Sequence, residues 1–187
     1  MIKLYTANIL ERTSKVQMDL IKEKFSRIIG NRINSGFSEK HKLRQITTRL
    51  MLIKIFKKLN IDSMYLKTLN YNEQGKLMVP NINLFISISY CKNKAICAIS
   101  KSKIGIDIED LREKVRNENK ILLENFTKTK IESSLDFYKT WTKIESIAKT
   151  YEKGGLYKLF TDQNFFKKTR NTNHFLLENN FLVAVSS

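Results

Sequence analysis

The stretch SKIGIDIEDL, residues 102–111, alternates Ile104, Ile106 and Ile108 with Gly105, Asp107 and Glu109. In a β-strand, side chains at i and i+2 lie on one face. The segment therefore reads as a strand with one isoleucine face and one face carrying two carboxylates behind a glycine. Like charges side by side repel and gain a strand nothing unless a cation stands opposite them. The strand thus raises the question of which positive charge these acids meet.

Other elements arrange themselves around it. MIKLYTA (1–7) is a short strand. SKVQMDLIKEKFSRIIG (14–30) places Val16, Leu20, Ile21, Phe25 and Ile28 at helical spacing, with Gly30 as its stop. SEKHKLRQITTRLMLIKIFKKLN (38–60) follows as a helix capped by Ser38, with Leu43, Ile46, Leu50 and Ile53 as its apolar stripe. After a turn at NEQGK (72–76), the single proline, Pro80, precedes INLFISISY (82–90). That segment alternates and pairs with AICAIS (95–100) across CKNK (91–94). Beyond the acid-bearing strand, residues 110–132 read as helix and loop. SSLDFYKTWTKIESIAKTYEKGG (133–155) is a helix started by Ser133 or Ser134 and ended by Gly154–Gly155, and HFLLE-NN-FLVAVSS (174–187) is a hairpin. The fold class is α+β, and the repeated order of helices then strands suggests two halves joined near residue 101.

The 187 residues carry 34 Lys and Arg against 18 Asp and Glu, a formal charge of +16. Such an excess implies an anionic partner: nucleic acid, a phosphorylated cofactor, an acidic protein or an acidic membrane surface. The same lysines would also serve as bland solvated surface in a chain rich in Lys, Ile and Asn. No apolar run is long enough to span a bilayer, and MIKLYTANILERTSK has no signal-peptide core. Cys91 and Cys97 have no partner pair elsewhere. A reduced, cytoplasmic protein is expected.

On the helix around Trp141, Glu145 and Lys149 are four residues apart and share a face. Alone, they would be a surface ion pair, as Asp107 and Glu109 alone would be solvated edge-strand residues. Together, carboxylates from a strand and a helix in a basic protein suit a hard divalent cation such as Mg²⁺, with lysines and arginines left to hold phosphates. His41 and His174 stand alone and the cysteine pair suits strand packing, so no zinc spacing is present. Neither is a phosphate-binding glycine loop.

IGIDIE (104–109) followed by WTKIESIAK (141–149) resembles the two signature blocks of the 4′-phosphopantetheinyl transferases of the Sfp type, G-(I/V)-D-x-E and W-(S/T)-x-K-E-(S/A)-x-x-K. QGKLMVP (74–80) is similar to the family's G-K-P block, ISISYC (86–91) to its N-x-S-H-S block and NFTKTKIES (125–133) to the segment before the tryptophan helix. The resemblance implies a pseudo-dimer of two similar α/β halves with the active site in the cleft between them. Residues 1–100 would make coenzyme A phosphate contacts, and residues 101–187 would carry the metal site and catalytic helix. It further implies that Asp107, Glu109 and Glu145 bind Mg²⁺ with the coenzyme A pyrophosphate. Glu145 would also take the proton of the acceptor serine, directly or through a water, and Lys149 would neutralise phosphate charge. Arg44, Lys76 and Ser89 would hold the adenosine phosphates beside Tyr90.

Three positions depart from the pattern. Tyr90 stands for a histidine, Ile144 for the lysine before the glutamate and Leu77 for a proline. Restoring the charge, by Tyr90→His or Ile144→Lys, is expected to tighten coenzyme A binding. The activity implied is transfer of 4′-phosphopantetheine from coenzyme A to a serine of an acidic acyl or peptidyl carrier protein, by a monomer and without membrane. Two alternatives are a basic nucleic-acid-binding protein, which leaves the two acid-bearing blocks unexplained, and a carrier-binding member of the fold that has lost transfer.

Overall fold

The structure is a computed structural model that describes residues 1–27, 29, 33, 38–72, 75–151 and 171–187. It is mixed α+β with two antiparallel sheets, and the chain divides into two compact units, Met1–Ser102 and Lys103–Ser187.

The first unit runs β1 (Lys3–Asn8), α1 (Lys15–Lys24), α2 (Glu39–Lys58), α3 (Met64–Thr68), β2 (Asn70–Tyr71), β3 (Leu77–Met78), β4 (Phe85–Cys91) and β5 (Lys94–Ser100). Its sheet has the order β1-β5-β4-β3-β2. Helix α1 opens on a capping box: Ser14 Oγ accepts from Gln17 N at 3.2 Å, and Ser14 N donates to Gln17 Oε1 at 2.9 Å. The helix ends at Lys24 rather than continuing to residue 30. Phe25 turns extended, and Ser26 Oγ accepts from Ile29 N at 3.5 Å, so Ser26 offers the backbone a new cap. Gly30 and Ile28 lie outside the described residues.

Ser38 caps α2 as expected, accepting from His41 N at 3.3 Å. The buried stripe of α2 is rotated from the expected one. Ile46 belongs to it, but its other apolar members are Met51, Leu52, Ile55 and Phe56, whereas Leu50 and Ile53 are only partly buried. Apolar residues occur on both sides of this helix, so spacing alone did not single out the inward side. Together with Ile86, Ala95, Cys97 and Ile99 of the hairpin, the inward residues form the first core. The β4–β5 register runs unbroken from Phe85↔Ser100 to Cys91↔Lys94, across a tight turn in which Lys92 takes a φ of 52°.

The second unit runs β6 (Gly105–Asp110), α4 (Asn117–Thr127), α5 (Ser134–Thr150), β7 (Thr172–Leu177) and β8 (Phe181–Ser186), with sheet order β6-β8-β7. Ser133 and Asp136 form the capping box of α5. Gly154–Gly155 lie outside the described residues. The final hairpin turns at Glu178 and Asn179, both with positive φ. Helix α5 lies on β6 and β8, burying Phe137, Tyr138, Ile144, Ile147 and Ala148 in a second core with Leu123, Ile131 and Leu182.

The two sheets share a scheme. In each unit the opening strand lies beside the last strand of a closing hairpin, as β1-β5-β4 and as β6-β8-β7. Among the described residues, no helix is long and apolar enough to cross a membrane.

Candidate functional site

The acid-bearing face of β6 is the face that α5 covers. Gly105 shows why: a Cβ there would lie 1.8 Å from the backbone oxygen of Ser146. Only glycine lets the helix backbone approach this closely. The approach is fastened by a chain of hydroxyls, with the buried Ser146 Oγ 2.7 Å from the buried Ser186 Oγ, which in turn is 2.8 Å from the half-buried Thr172 Oγ1. Ile104, Ile106 and Ile108, on the other face, are fully buried.

Two residues beyond the glycine, on the same strand face, Asp107 meets the positive charge the sequence called for. Lys149 Nζ donates to Asp107 Oδ1 at 2.7 Å. The side chain of Asp107 is 6% exposed and that of Lys149 is 30% exposed. Although β6 is an edge strand, its first carboxylate is therefore not a solvated one. The i,i+4 reading of Glu145 with Lys149 gives way to a pair between helix and strand.

Glu109 is half-buried on the same strand face, and Glu145 is half-buried one helical turn before Lys149. Burial pushes the Glu145 carboxyl above its ordinary value; Lys149 pulls it back and the negative charge of Asp107 pushes it up again. Burial alone would lower the ammonium of Lys149, but Asp107, Glu145 and Glu109 outweigh it and hold the lysine charged. All three acids thus act on one ammonium.

The set fits a hard divalent cation in donor chemistry and in charge, since three carboxylates face one lysine. It is not gathered into a ready cage. Among the described residues, no group of three or more His, Cys, Asp and Glu side chains is placed to hold a metal ion. The next acid along, Asp110, is committed elsewhere: its carboxylate receives Arg112 Nε at 2.8 Å and a terminal nitrogen at 2.7 Å, closing the corner after β6.

In the first unit, Arg44 and Tyr90 come together. The Arg44 guanidinium lies 4.8 Å above the Tyr90 ring, and its Nε is buried without a hydrogen-bond partner among the described residues. Tyr90 packs towards the first core, so by strand alternation the buried Ser89 points to the opposite face of β4. Lys76 follows Gly75, whose φ of 77° makes the turn between Asn72 and β3. Leu77, at the proline position, is buried in the first core and paired with Tyr71.

Ile144 is fully buried in the second core. This position speaks against the expectation that Ile144→Lys would tighten coenzyme A binding, because the ammonium would enter an apolar interior. What sequence reasoning missed is the fastening of the site: Ser146, Ser186 and Thr172, and the Asp110–Arg112 corner. The serine after Glu145 and the serine near the C-terminus carry no spacing that would reveal their contact.

Compared with known proteins, the chain matches no protein-family model and no curated protein.

Proposed function

We propose that this protein transfers the 4′-phosphopantetheine group of coenzyme A to a serine hydroxyl of an acidic acyl or peptidyl carrier protein. The observation that carries the reading is the 2.7 Å contact between Asp107 and Lys149, because it joins the block IGIDIE to the block WTKIESIAK in one site. In the family that these blocks resemble, the same residue types handle a pyrophosphate. The shared strand scheme of the two units supports the finer fold reading, a pseudo-dimer of related halves.

In this reading the serine oxygen forms a bond to the β-phosphorus of coenzyme A. The bond from that phosphorus to the oxygen bridging it to the α-phosphate breaks, releasing adenosine 3′,5′-bisphosphate. Glu145 takes the serine proton, directly or through a water. Its burial suits that role, since a carboxylate with a raised pKa is a stronger base. Lys149 holds phosphate charge, and in-line positioning with charge neutralisation supplies most of the acceleration such transfers need. Asp107, Glu109 and Glu145 would hold Mg²⁺, which when bound offsets the charge of the pyrophosphate. Arg44, with a buried Nε and a ring beneath it, supports an adenosine phosphate contact beside Tyr90, and Lys76 and Ser89 are proposed to add to it.

The test is incubation with coenzyme A, Mg²⁺ and several apo-carriers, read by mass spectrometry. A gain of one phosphopantetheine on the carrier serine is expected, and its absence with every carrier overturns the reading. Ile144 in the core favours a second reading, a carrier-binding member without transfer; it expects carrier binding and no mass gain.

A further inference from the structure

The pair at the centre of the site is itself an obstacle to the cation that the site would take. Asp107 is buried, and a buried carboxylate needs a counter-charge at all times, because an uncompensated one is costly. Lys149 supplies that charge through Oδ1, the oxygen of a carboxylate that would also be a ligand for a divalent ion. The lysine is also able to leave. Its side chain keeps 30% of its surface exposed, it sits in the last turn of α5 one residue before the described helix ends, and its stem is a flexible four-carbon chain. Arg112, by contrast, grips Asp110 through two nitrogens and a fixed fork. Asp110, on the other face of β6, is thus held by a rigid fork, whereas Asp107 is held through a single flexible amine.

We propose that Lys149 is the resident counter-ion of Asp107 and competes with the divalent cation for it, so that cation entry releases the ammonium towards the phosphates. Lys149 is then a positioning residue as well as a phosphate contact: it keeps Asp107 paired while the site is empty and delivers its charge only when the cation has arrived. The proposal rests on reading Asp107, Glu109 and Glu145 as cation donors, but not on which group is transferred.

The test measures Mn²⁺ binding to the full-length protein by electron paramagnetic resonance, without coenzyme A, for wild type, Lys149→Met and Asp107→Asn. Lys149→Met is expected to bind Mn²⁺ about 5-fold or more tightly than wild type, the low end of an ordinary coupling between two sites. Asp107→Asn is expected to lose binding. Inorganic pyrophosphate should strengthen Mn²⁺ binding more in wild type than in Lys149→Met, since only wild type has an ammonium to hand over. Equal or weaker Mn²⁺ binding by Lys149→Met, or none in any protein, overturns the proposal. Removing the lysine also takes a counter-charge from a buried carboxylate, so the variant's thermal unfolding is followed with Mg²⁺ as well. Mg²⁺ should restore much of its lost Tm and change wild type little; a deficit that Mg²⁺ leaves untouched counts against competition. Transfer to carriers without competition sinks this proposal alone, and competition without transfer sinks the functional reading alone.

Discussion

Single residues decide whether the site can exist. Gly105 holds no ligand, yet any Cβ there meets the Ser146 carbonyl at 1.8 Å, and a backbone atom cannot rotate aside. Gly105→Ala should cost about 1–3 kcal/mol or more, as overpacking does, and should weaken the Asp107–Lys149 contact by lifting the helix. Urea unfolding checks it; a loss below about 0.5 kcal/mol, the scale of an ordinary surface change, would mean that α5 shifts freely. Ile144→Lys should likewise destabilise rather than improve binding, because a fully buried position offers the ammonium no partner. A variant that keeps its melting temperature and binds coenzyme A more tightly would restore the expectation drawn from sequence. Cys97 gives a pH test. Burial pushes its thiol up to about 12, so the folded state holds that proton more tightly than the unfolded chain. Its contribution to stability is complete below the ordinary thiol pKa and declines as pH rises from there towards 12. Native labelling near pH 8 should therefore reach the half-buried Cys91 well before Cys97; equal rates would contradict this packing.

Elements explain what the sequence made legible and what it concealed. Strand alternation in 104–109 reported its two faces correctly, and both hairpins were visible from alternation on either side of a short polar turn. Those signals are local, because a strand's neighbours in sequence determine its faces. The stripe of α2 was not legible: apolar residues flank the helix on two sides, and only the sheet beneath selects Leu52, Ile55 and Phe56 over Leu50 and Ile53. Short pieces such as α3, β2 and β3 were hidden too, since five helical residues or two paired ones are too few to show a period of their own. In the candidate site, Asp107 and Lys149 were named separately with their charges, but their contact spans 42 positions and no spacing rule reaches that far. The hydroxyl chain that binds α5 to the hairpin is a further long-range feature. Ser186→Ala would leave Ser146 and Thr172 with a lost partner at the buried seam, a change of about 1–2 kcal/mol for buried hydroxyls. Its effect should appear as faster hydrogen exchange in α5 and β8 together. Exchange unchanged in both would show that apolar packing alone holds the helix.

At the scale of the molecule, one strand scheme recurs with differently lined surroundings. In the first unit, the space beside β1 and helices α1 and α2 is a cavity of about 490 Å³ lined by Leu10, Leu20, Leu50 and Met51, with Lys54 and Lys58 on it. In the second, one face of β6 carries Asp107 and Glu109 under Lys149. Acids are thus concentrated where the second unit would handle a cation, although the chain as a whole is +16. On the proposed function that contrast is expected, since the site would take a metal and phosphates while the surface attracts an acidic carrier. Charge of this kind acts mainly on encounter, through a field that salt screens over about 8 Å at physiological ionic strength. Transfer measured at sub-saturating carrier should therefore slow several-fold, by roughly a factor of 10 if steering is strong, as salt rises from low to twice physiological strength. At saturating carrier the rate should change much less, because bound carrier no longer has to be steered. Lysines that are only solvated surface make the opposite forecast, a rate indifferent to salt at both concentrations. A nucleic-acid-binding protein would instead show salt-sensitive retention of a short duplex with no dependence on Asp107, whereas here Asp107→Asn should abolish transfer and leave the salt-dependent encounter with the carrier intact. Loss of both together would mean that the acid face organises the carrier surface as well as the site.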